Sequence, residues 1–594
     1  MEKSIPITDF KDIRKLRTKR PQNRDPSRSK LRTVYGLDTE THEGNIFLIA
    51  DSDGNFLDEM TPESVLEFLF SKRYQNSWNF LYNLGYDAEV ILKLLGKELN
   101  RYKRTRQLVF EFEKYKLTCI PGKCLRITKG HHSVSYYDIA QFYDRKSLDV
   151  AYQENITKLN GDYLDLKKKR KQFSTRFYNR NKKLLRNYCI QDCKLTKELA
   201  QNWIKLFHDA FGFYSVKWFS SGYLAEKVLL NNGIEFPKFD SIPFEVQDLA
   251  YRSYFGGRFE MTKRGFIGKA FLYDINSAYP FAITQIPDLT RGKWTRRKSI
   301  HPYAKIGFFV ILADIPDDTY IPPFPFRVNN EIIFPTGKFI TYCTLVELQV
   351  CKNLNWYKIL NSWQFVPENH ACPYREFIQR MYQKRLRLKQ NGDAMQLPLK
   401  VILNSIYGKT GQKVNRIIGN LFNPVIFSFI TGFARAQLYR FVVDNNIEKE
   451  IVAFATDSIC VRKNLGIDST KLGEFHLDKS ANDVYYLQNG LYRFNHTWKQ
   501  RGLGNLGSKE IEDLETIEKR GRLYARFKIL RSKRLRSAII EDRLDEIGQI
   551  KEITREVNLN ADRKRLWLGQ LTKIDDQFND SAPISLNHFE KDQI

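Results

Sequence analysis

The tightest constraint on this chain is an apolar run that ends in an acid. Phe271-Leu272-Tyr273-Asp274 leads into Ile275-Asn276-Ser277-Ala278-Tyr279-Pro280, which reads as a buried strand stopping at Asp274. A carboxylate at the end of a buried strand is costly unless it pairs or binds a cation. Taken alone, Asp274 is better read as a turn cap than as a ligand. The cation reading requires a second carboxylate elsewhere that could share the ion.

A chain of 594 residues is too long for a single core, and three or more domains are expected. Its 96 Lys+Arg against 68 Asp+Glu give a formal charge of +28, and 14% of residues are aromatic. A basic, aromatic-rich surface suits a polyanion with stackable bases, so nucleic acid is the leading ligand class. Cys119, Cys124, Cys189, Cys193, Cys343, Cys351, Cys372 and Cys460 form no CxxC pair and no zinc spacing. They read as reduced thiols rather than a disulfide framework. The first residues are charged and no apolar run reaches membrane-spanning length, so the expectation is a soluble intracellular protein with neither signal peptide nor span.

Residues 1–32 are basic, contain Pro21 and Pro26, and read as a disordered arm. Ordered sequence begins with a strand in which Asp38 and Glu40, two apart, share one face. Next, SWNFLYNLGYDAEVILKLL reads as strand, turn and helix, with Asn83 and Asp87 at the turn. A later helix, NYCIQDCKLTKEL, carries Tyr188 and Asp192 four apart on one face. Asp38, Glu40, Asp87 and Asp192 are what a two-metal phosphodiester hydrolase needs, and Tyr188 could orient its water. The order DxE, NxxYD, YxxxD resembles the three motifs of the 3'-5' proofreading exonuclease of family B DNA polymerases. Between the second and third motifs, the basic residues 167–171 and 176–186 could follow a single strand or simply be solvated.

Further on, Tyr254-Phe255-Gly256-Gly257-Arg258 permits close backbone approach to a phosphate, with Arg258 adding charge. It resembles the YxGG link between exonuclease and polymerase domains in the protein-primed branch, where it handles the template. Tyr273–Pro280 then resembles motif A, DxxSLYP, with Ala278 replacing Leu. The resemblance implies that Asp274 and the Ile275 carbonyl hold metal and that Tyr279 gates against a 2'-hydroxyl. On a second helix Lys400, Asn404 and Tyr407 share a face and Gly408 follows. This resembles motif B, KxxxNSxYG, in which lysine meets the triphosphate and Tyr and Gly meet the nascent pair.

The partner acid lies in IVAFATDSICV, which resembles motif C, normally DTDS; here Ala455 replaces the first acid and Asp457 keeps the second. Tyr492 matches the tyrosine of a KxY motif at the primer terminus, while Gly490 stands where the lysine is expected. Residues 519–536 read as basic helical sequence of a thumb over duplex DNA, and 561–567 has no assignment.

The resemblance implies an α+β multidomain chain: an RNase H-like 3'-5' exonuclease followed by a right-hand polymerase. Its divisions are a basic arm 1–32, exonuclease 33–200, connecting segment 201–260, palm 261–371 with room for a terminal-protein insertion, fingers 372–435, palm 436–495, and thumb with C-terminal segment 496–594. The second insertion seen in highly processive phage enzymes has little room between Lys400 and Asp457. Two Mg²⁺ ions per site, with Mn²⁺ as the alternative ion, are implied. Implied partners are template and primer DNA, dNTPs and a terminal protein, for a monomer in host cytoplasm or, if plasmid-borne, a mitochondrion. Two other classes remain: a DNA-primed family B polymerase, and a polymerase-inactive exonuclease or nucleic-acid-binding protein on account of Ala455.

Overall fold

The computed structural model describes residues 13, 16–18, 28–169, 174–329, 331–414, 416–501, 503, 506, 511, 514–571 and 578–587. The first domain is built on an eight-stranded sheet in the order Phe56–Leu57, Asn45–Asp51, Val34–His42, Trp78–Leu81, His132–Asp138, Cys124–Lys129, Tyr115–Ile120, Val109–Phe112. Its three central strands run parallel and are covered on both sides, which is why Trp78–Leu81 is fully buried and apolar except for Asn79, whose amide donates to the Tyr74 and Ser135 carbonyls.

The 30-residue helix Lys182–Phe211 lies across Val34–His42. The contact depends on Gly36: a Cβ there would sit 2.0 Å from the Cys193 carbonyl oxygen and 2.7 Å from the Lys197 nitrogen. Glycine therefore lets the helix that carries Tyr188 and Asp192 approach the strand that carries Asp38 and Glu40.

A second sheet runs in the order Arg258–Met261, Ile451–Thr456, Ser458–Val461, Lys263–Ile275, Phe475–Gln488, Leu491–Phe494, Thr497–Lys499. Asn579–Pro583 pairs with the start of Lys263–Ile275, and Arg565–Trp567 pairs with Asn579–Pro583. Helix Pro424–Asp444 covers the sheet, with Leu438, Phe441 and Val442 in one core with Phe271, Tyr273 and Phe454. Beside it Gln396–Thr410 packs between Ser221–Asn231 and Arg375–Gln390. The stretch between Asp274 and Lys400 includes a separate antiparallel sheet, Gly292–Arg296, Tyr357–Pro367, Ile306–Ile315, Gly337–Thr344, largely over its own core.

Two expectations are corrected. Residues 519–536 are chiefly strand: Arg522–Ser532 pairs with Glu515–Lys519 and with Ile550–Asn558. Leu523, Ala525 and Phe527 alternate inward, a period of two that the basic residues between them obscure. Helix begins only at Leu535–Ile540, and its Leu535, Ala538 and Ile539 are buried in the core of the first domain. The expected disordered arm includes ordered residues: Arg17–Thr18 pairs with Ile417–Ile418, and Ser29 bridges to Tyr214. Residues 1–12, 14–15 and 19–27 of that arm lie outside the described residues. Among the described residues no helix is long and apolar enough to cross a membrane.

Candidate active sites

Asp274 and Asp457 meet at the open end of the second sheet. Asp274 pairs in register with Ser458, and the Ile275 N–H donates to the Asp457 carbonyl at 3.0 Å. Asp457 follows a tight turn in which Thr456 takes φ 73°, a conformation that a β-branched residue adopts only when its surroundings impose it. Gly257 packs onto that turn, and a Cβ there would lie 2.8 Å from Thr456 Cγ2. Burial, then the charges of Asp457 and Asp478, push the Asp274 carboxyl up to about 7. Burial likewise raises Asp457.

Asp478 was not legible in the sequence. Leu272 pairs with Lys479 and Tyr273 with Leu477, so Asp478 is the extra residue of a β-bulge facing the acid pair's strand. Bulges re-aim side chains beside active sites, and no sequence signal marks this one.

Tyr279, in the helix Ala278–Thr284, lies 4.3 Å ring to ring from Tyr407. The Tyr407 hydroxyl is 3.2 Å from that of Tyr254. Half-buried Lys400, exposed Asn404, half-buried Tyr407 and exposed Gly408 line the face of Gln396–Thr410 opposite buried Leu399, Ile402, Leu403 and Ile406. Arg435 Nε donates to Glu347 at 2.8 Å and its Nη1 donates to the Gly256 carbonyl, while Arg327 donates to the Tyr254 carbonyl at 3.0 Å. These bonds fix the glycine turn from within.

Arg258, expected at a phosphate, is instead 1% exposed and engaged inside the protein. Its guanidinium meets Glu260 at 2.6 and 2.8 Å and the Pro322 carbonyl at 3.0 Å. Arg565 completes the group, 3.0 Å from the other Glu260 oxygen, and gives a role to the unassigned segment 561–567. Strand alternation turns Arg258 inward beside buried Glu260, where the paired charge outweighs contact with a ligand.

In the first domain the predicted acids converge. Burial raises Asp38 well above the ordinary carboxylate range, with Asp192, Asp87 and Glu40 adding to it in that order. Ligand atoms of Asp38, Glu40 and Cys189 all lie within 4.8 Å of one another. Asp87, in the first turn of Leu84–Lys93, accepts from Thr39 Oγ1 at 2.6 Å; burial pushes it up to about 7. Tyr188 is buried and stacks on Tyr163 at 5.7 Å, and Tyr163, which the sequence reading missed, donates to Asp192 at 2.6 Å. Exposed Asn83 takes φ 62°, and its N–H donates at 3.0 Å to buried Asp138, another unforeseen acid, which is salt-bridged to Arg145. Of the basic residues expected along a single strand, Lys167 pairs with Asp149 and Arg186 with Asp58; residues 170–171 lie outside the described residues.

Both clusters present hard oxygen donors suited to Mg²⁺ or Mn²⁺, with the Cys189 sulfur as the exception.

The sequence profile of DNA polymerase type B, organellar and viral, matches residues 124–419. The DNA polymerase of Acidianus bottle-shaped virus (isolate Italy/Pozzuoli) is 23% identical over 544 residues, 84% of this chain and 79% of that one. A probable DNA polymerase of Ascobolus immersus is 26% identical over 255 residues, 42% of this chain but 20% of that one. Phi29 DNA polymerase, complexed with primer-template DNA and incoming nucleotide, superposes with a TM-score of 0.59 at 13% identity, covering 89% of this chain and all of that one. Its binary complex with primer-template DNA gives 0.58. The chain belongs to the type B DNA polymerases of organelles and viruses and is a DNA-directed DNA polymerase.

Proposed function

We propose that this polymerase copies a linear viral or plasmid genome from a terminal-protein primer and edits its product 3'-5' in the first domain. The observation that carries the polymerase assignment is the adjacency of Asp274 and Asp457 at the end of two paired apolar strands. In the reaction the primer 3'-oxygen bonds to the α-phosphorus of a dNTP, the bond to pyrophosphate breaks, and the hydroxyl proton leaves to solvent. Asp274, Asp457 and the Ile275 carbonyl would hold Mg²⁺, two ions at the site, which when bound supplies charge neutralisation at the phosphates. Lys400 meets the triphosphate, Asn404 and Gly408 lie along its path, and Tyr279 closes on the sugar. Tyr407 backs the nascent pair, held by Tyr254. Gly256 and Gly257 set the template-side turn, and Tyr492 abuts the primer end.

Asp38, Glu40, Asp87 and Asp192 would hold the ions of the editing site. Tyr188 and Tyr163 orient Asp192 and the attacking water, and Asn83 meets the frayed strand. Protein priming is supported by the YxGG-like link at Tyr254–Arg258 and by the separate sheet between Asp274 and Lys400, where the family resemblance leaves room for a terminal-protein insertion. The partners are primer-template DNA, dNTPs and the terminal protein. The enzyme acts as a monomer in host cytoplasm, or in a mitochondrion if plasmid-borne.

A DNA-primed enzyme is the second reading, favoured by Gly490. An inactive protein, suggested by Ala455, is disfavoured because Asp478 brings a third carboxylate to the acid pair. The test of priming is transfer of labelled dNMP to a serine, threonine or tyrosine hydroxyl of a candidate terminal protein. Extension of DNA primers without any such transfer would select the DNA-primed reading.

A further inference from the structure

The sequence lacks a cation at position 490, and the fold shows why. Asn489-Gly490 is a two-residue hairpin turn between Gln488 and Leu491, with Gly490 at φ 91°. A side chain there would be strained, and its Cβ would lie 2.9 Å from the Arg501 side chain. The next turn, Asn495-His496 between Phe494 and Thr497, sets the register of the following hairpin, in which Tyr492 stands directly opposite Lys499. Opposed residues of an antiparallel pair project from the same face with Cβ atoms about 5 Å apart. Lys499 therefore shares a face with Tyr492, whose ring is fixed by stacking on Tyr486 at 4.7 Å.

A further contact leads from the Gly490 turn to the acid pair. Arg501 lies 5.0 Å over the Phe259 ring. Phe259 in turn pairs with Ala455, beside the acid turn. Lysine on an edge strand also discourages sheet-to-sheet association, but that role needs no particular register. Here the register puts an exposed ammonium beside the residue that abuts the reacting 3' end.

We propose that Lys499 grips a backbone phosphate of the primer strand next to its 3' terminus, with Arg501 flanking it, supplying from the neighbouring strand the cation that Gly490 cannot carry. This rests on the polymerase reading of the Asp274–Asp457 site. Lys499 is a positioning residue: it sets where the 3'-oxygen lies and takes no part in bond exchange.

The test uses the full chain with primer-templates carrying a neutral methylphosphonate at the last, second-last or third-last primer linkage. Anisotropy gives affinity at several salt concentrations, and steady-state extension gives kcat and KM. Lys499→Ala should weaken primer-template binding about ten- to hundredfold and lower the salt slope by about one. Lys499→Arg should restore most of the affinity. One methylphosphonate should weaken wild type by the same factor and leave Lys499→Ala unchanged, and thermal unfolding of both variants should match wild type. Equal binding by wild type and Lys499→Ala, or equal sensitivity to every methylphosphonate, would overturn the grip. If wild type binds with the expected Lys499 dependence and fails to extend, the grip stands and the polymerase reading of the site falls.

Discussion

Glu260→Gln should cost the protein more than any other single charge removal at this site. Glu260 lies between two guanidiniums, Arg258 at 2.6 Å and Arg565 at 3.0 Å, with all three side chains 0–2% exposed. Glutamine keeps the shape but leaves two buried cations against an amide that turns an N–H toward one of them. Removing one partner of a buried ion pair costs about 3–5 kcal/mol, a large share of a typical stability of 5–15 kcal/mol.

The sign of the pH dependence follows from the carboxyl. Burial raises its pKa, the charges of Arg258 and Arg565 outweigh burial, and the folded value falls below the usual one. Its contribution is present above the unfolded value of about 4.3 and is lost as pH falls through the lower folded value. The assay is urea unfolding followed by tryptophan fluorescence at pH 7 and near pH 3. The control is Lys103→Ala, which removes the exposed pair with Asp542 and should cost under about 1 kcal/mol. The gap between wild type and Glu260→Gln should be wide at pH 7 and narrow near pH 3. Since the strand of Glu260 pairs with Ala455–Thr456, extension should fall as well. A loss below about 1 kcal/mol at pH 7, or a gap that widens on acidification, would refute the reasoning.

Other outcomes follow from the same geometry. Gly36→Ala forces helix Lys182–Phe211 off its strand and should abolish single-strand degradation while extension continues, as read by gel assays of both activities. Gly257→Ala presses on Thr456 and should lower kcat for extension at least tenfold with exonuclease intact. Asp87 is raised to about 7 by burial, so in metal-free protein its folded state is favoured below about pH 4 and loses stability as pH rises toward 7. Asp87→Asn removes that loss and should raise the melting temperature in chelator at pH 8 but not at pH 4. Asp478→Asn should weaken Mn²⁺ binding followed by electron paramagnetic resonance, and Ala455→Asp in the same chain should restore it.

Much of the site was legible because its parts are local. Asp274, Asp457 and the four exonuclease acids each sit where an apolar run or helical spacing ends; the fold sets Asp274 beside Asp457 and gathers Asp38, Glu40, Asp87 and Asp192 in the first domain. What escaped depends on registers and distant contacts. Asp478 reaches the acid pair through a bulge that no residue type announces. Tyr163 and Asp138 meet their partners only after the helix and sheet assemble. Arg258 looked like a phosphate contact because its neighbours are glycines; only the arrival of Arg565, far along the chain, shows it to be interior. The strand Arg522–Ser532 reads as helix in the sequence because its arginines and lysines hide a period of two. Leu535–Ile540 could not be placed on the first domain without knowing that domain's surface.

The central claim is that Asp274 and Asp457 together form the nucleotidyl-transfer site, and that it is separate from the editing site around Asp38. Primer extension by the full chain with Mg²⁺ and dNTPs, run beside single-strand degradation, tests it most directly. Wild type should do both, Asp274→Ala and Asp457→Ala should degrade but not extend, and Asp38→Ala with Glu40→Ala should extend but not degrade. No extension by wild type, or extension that survives loss of either Asp274 or Asp457, would contradict the account.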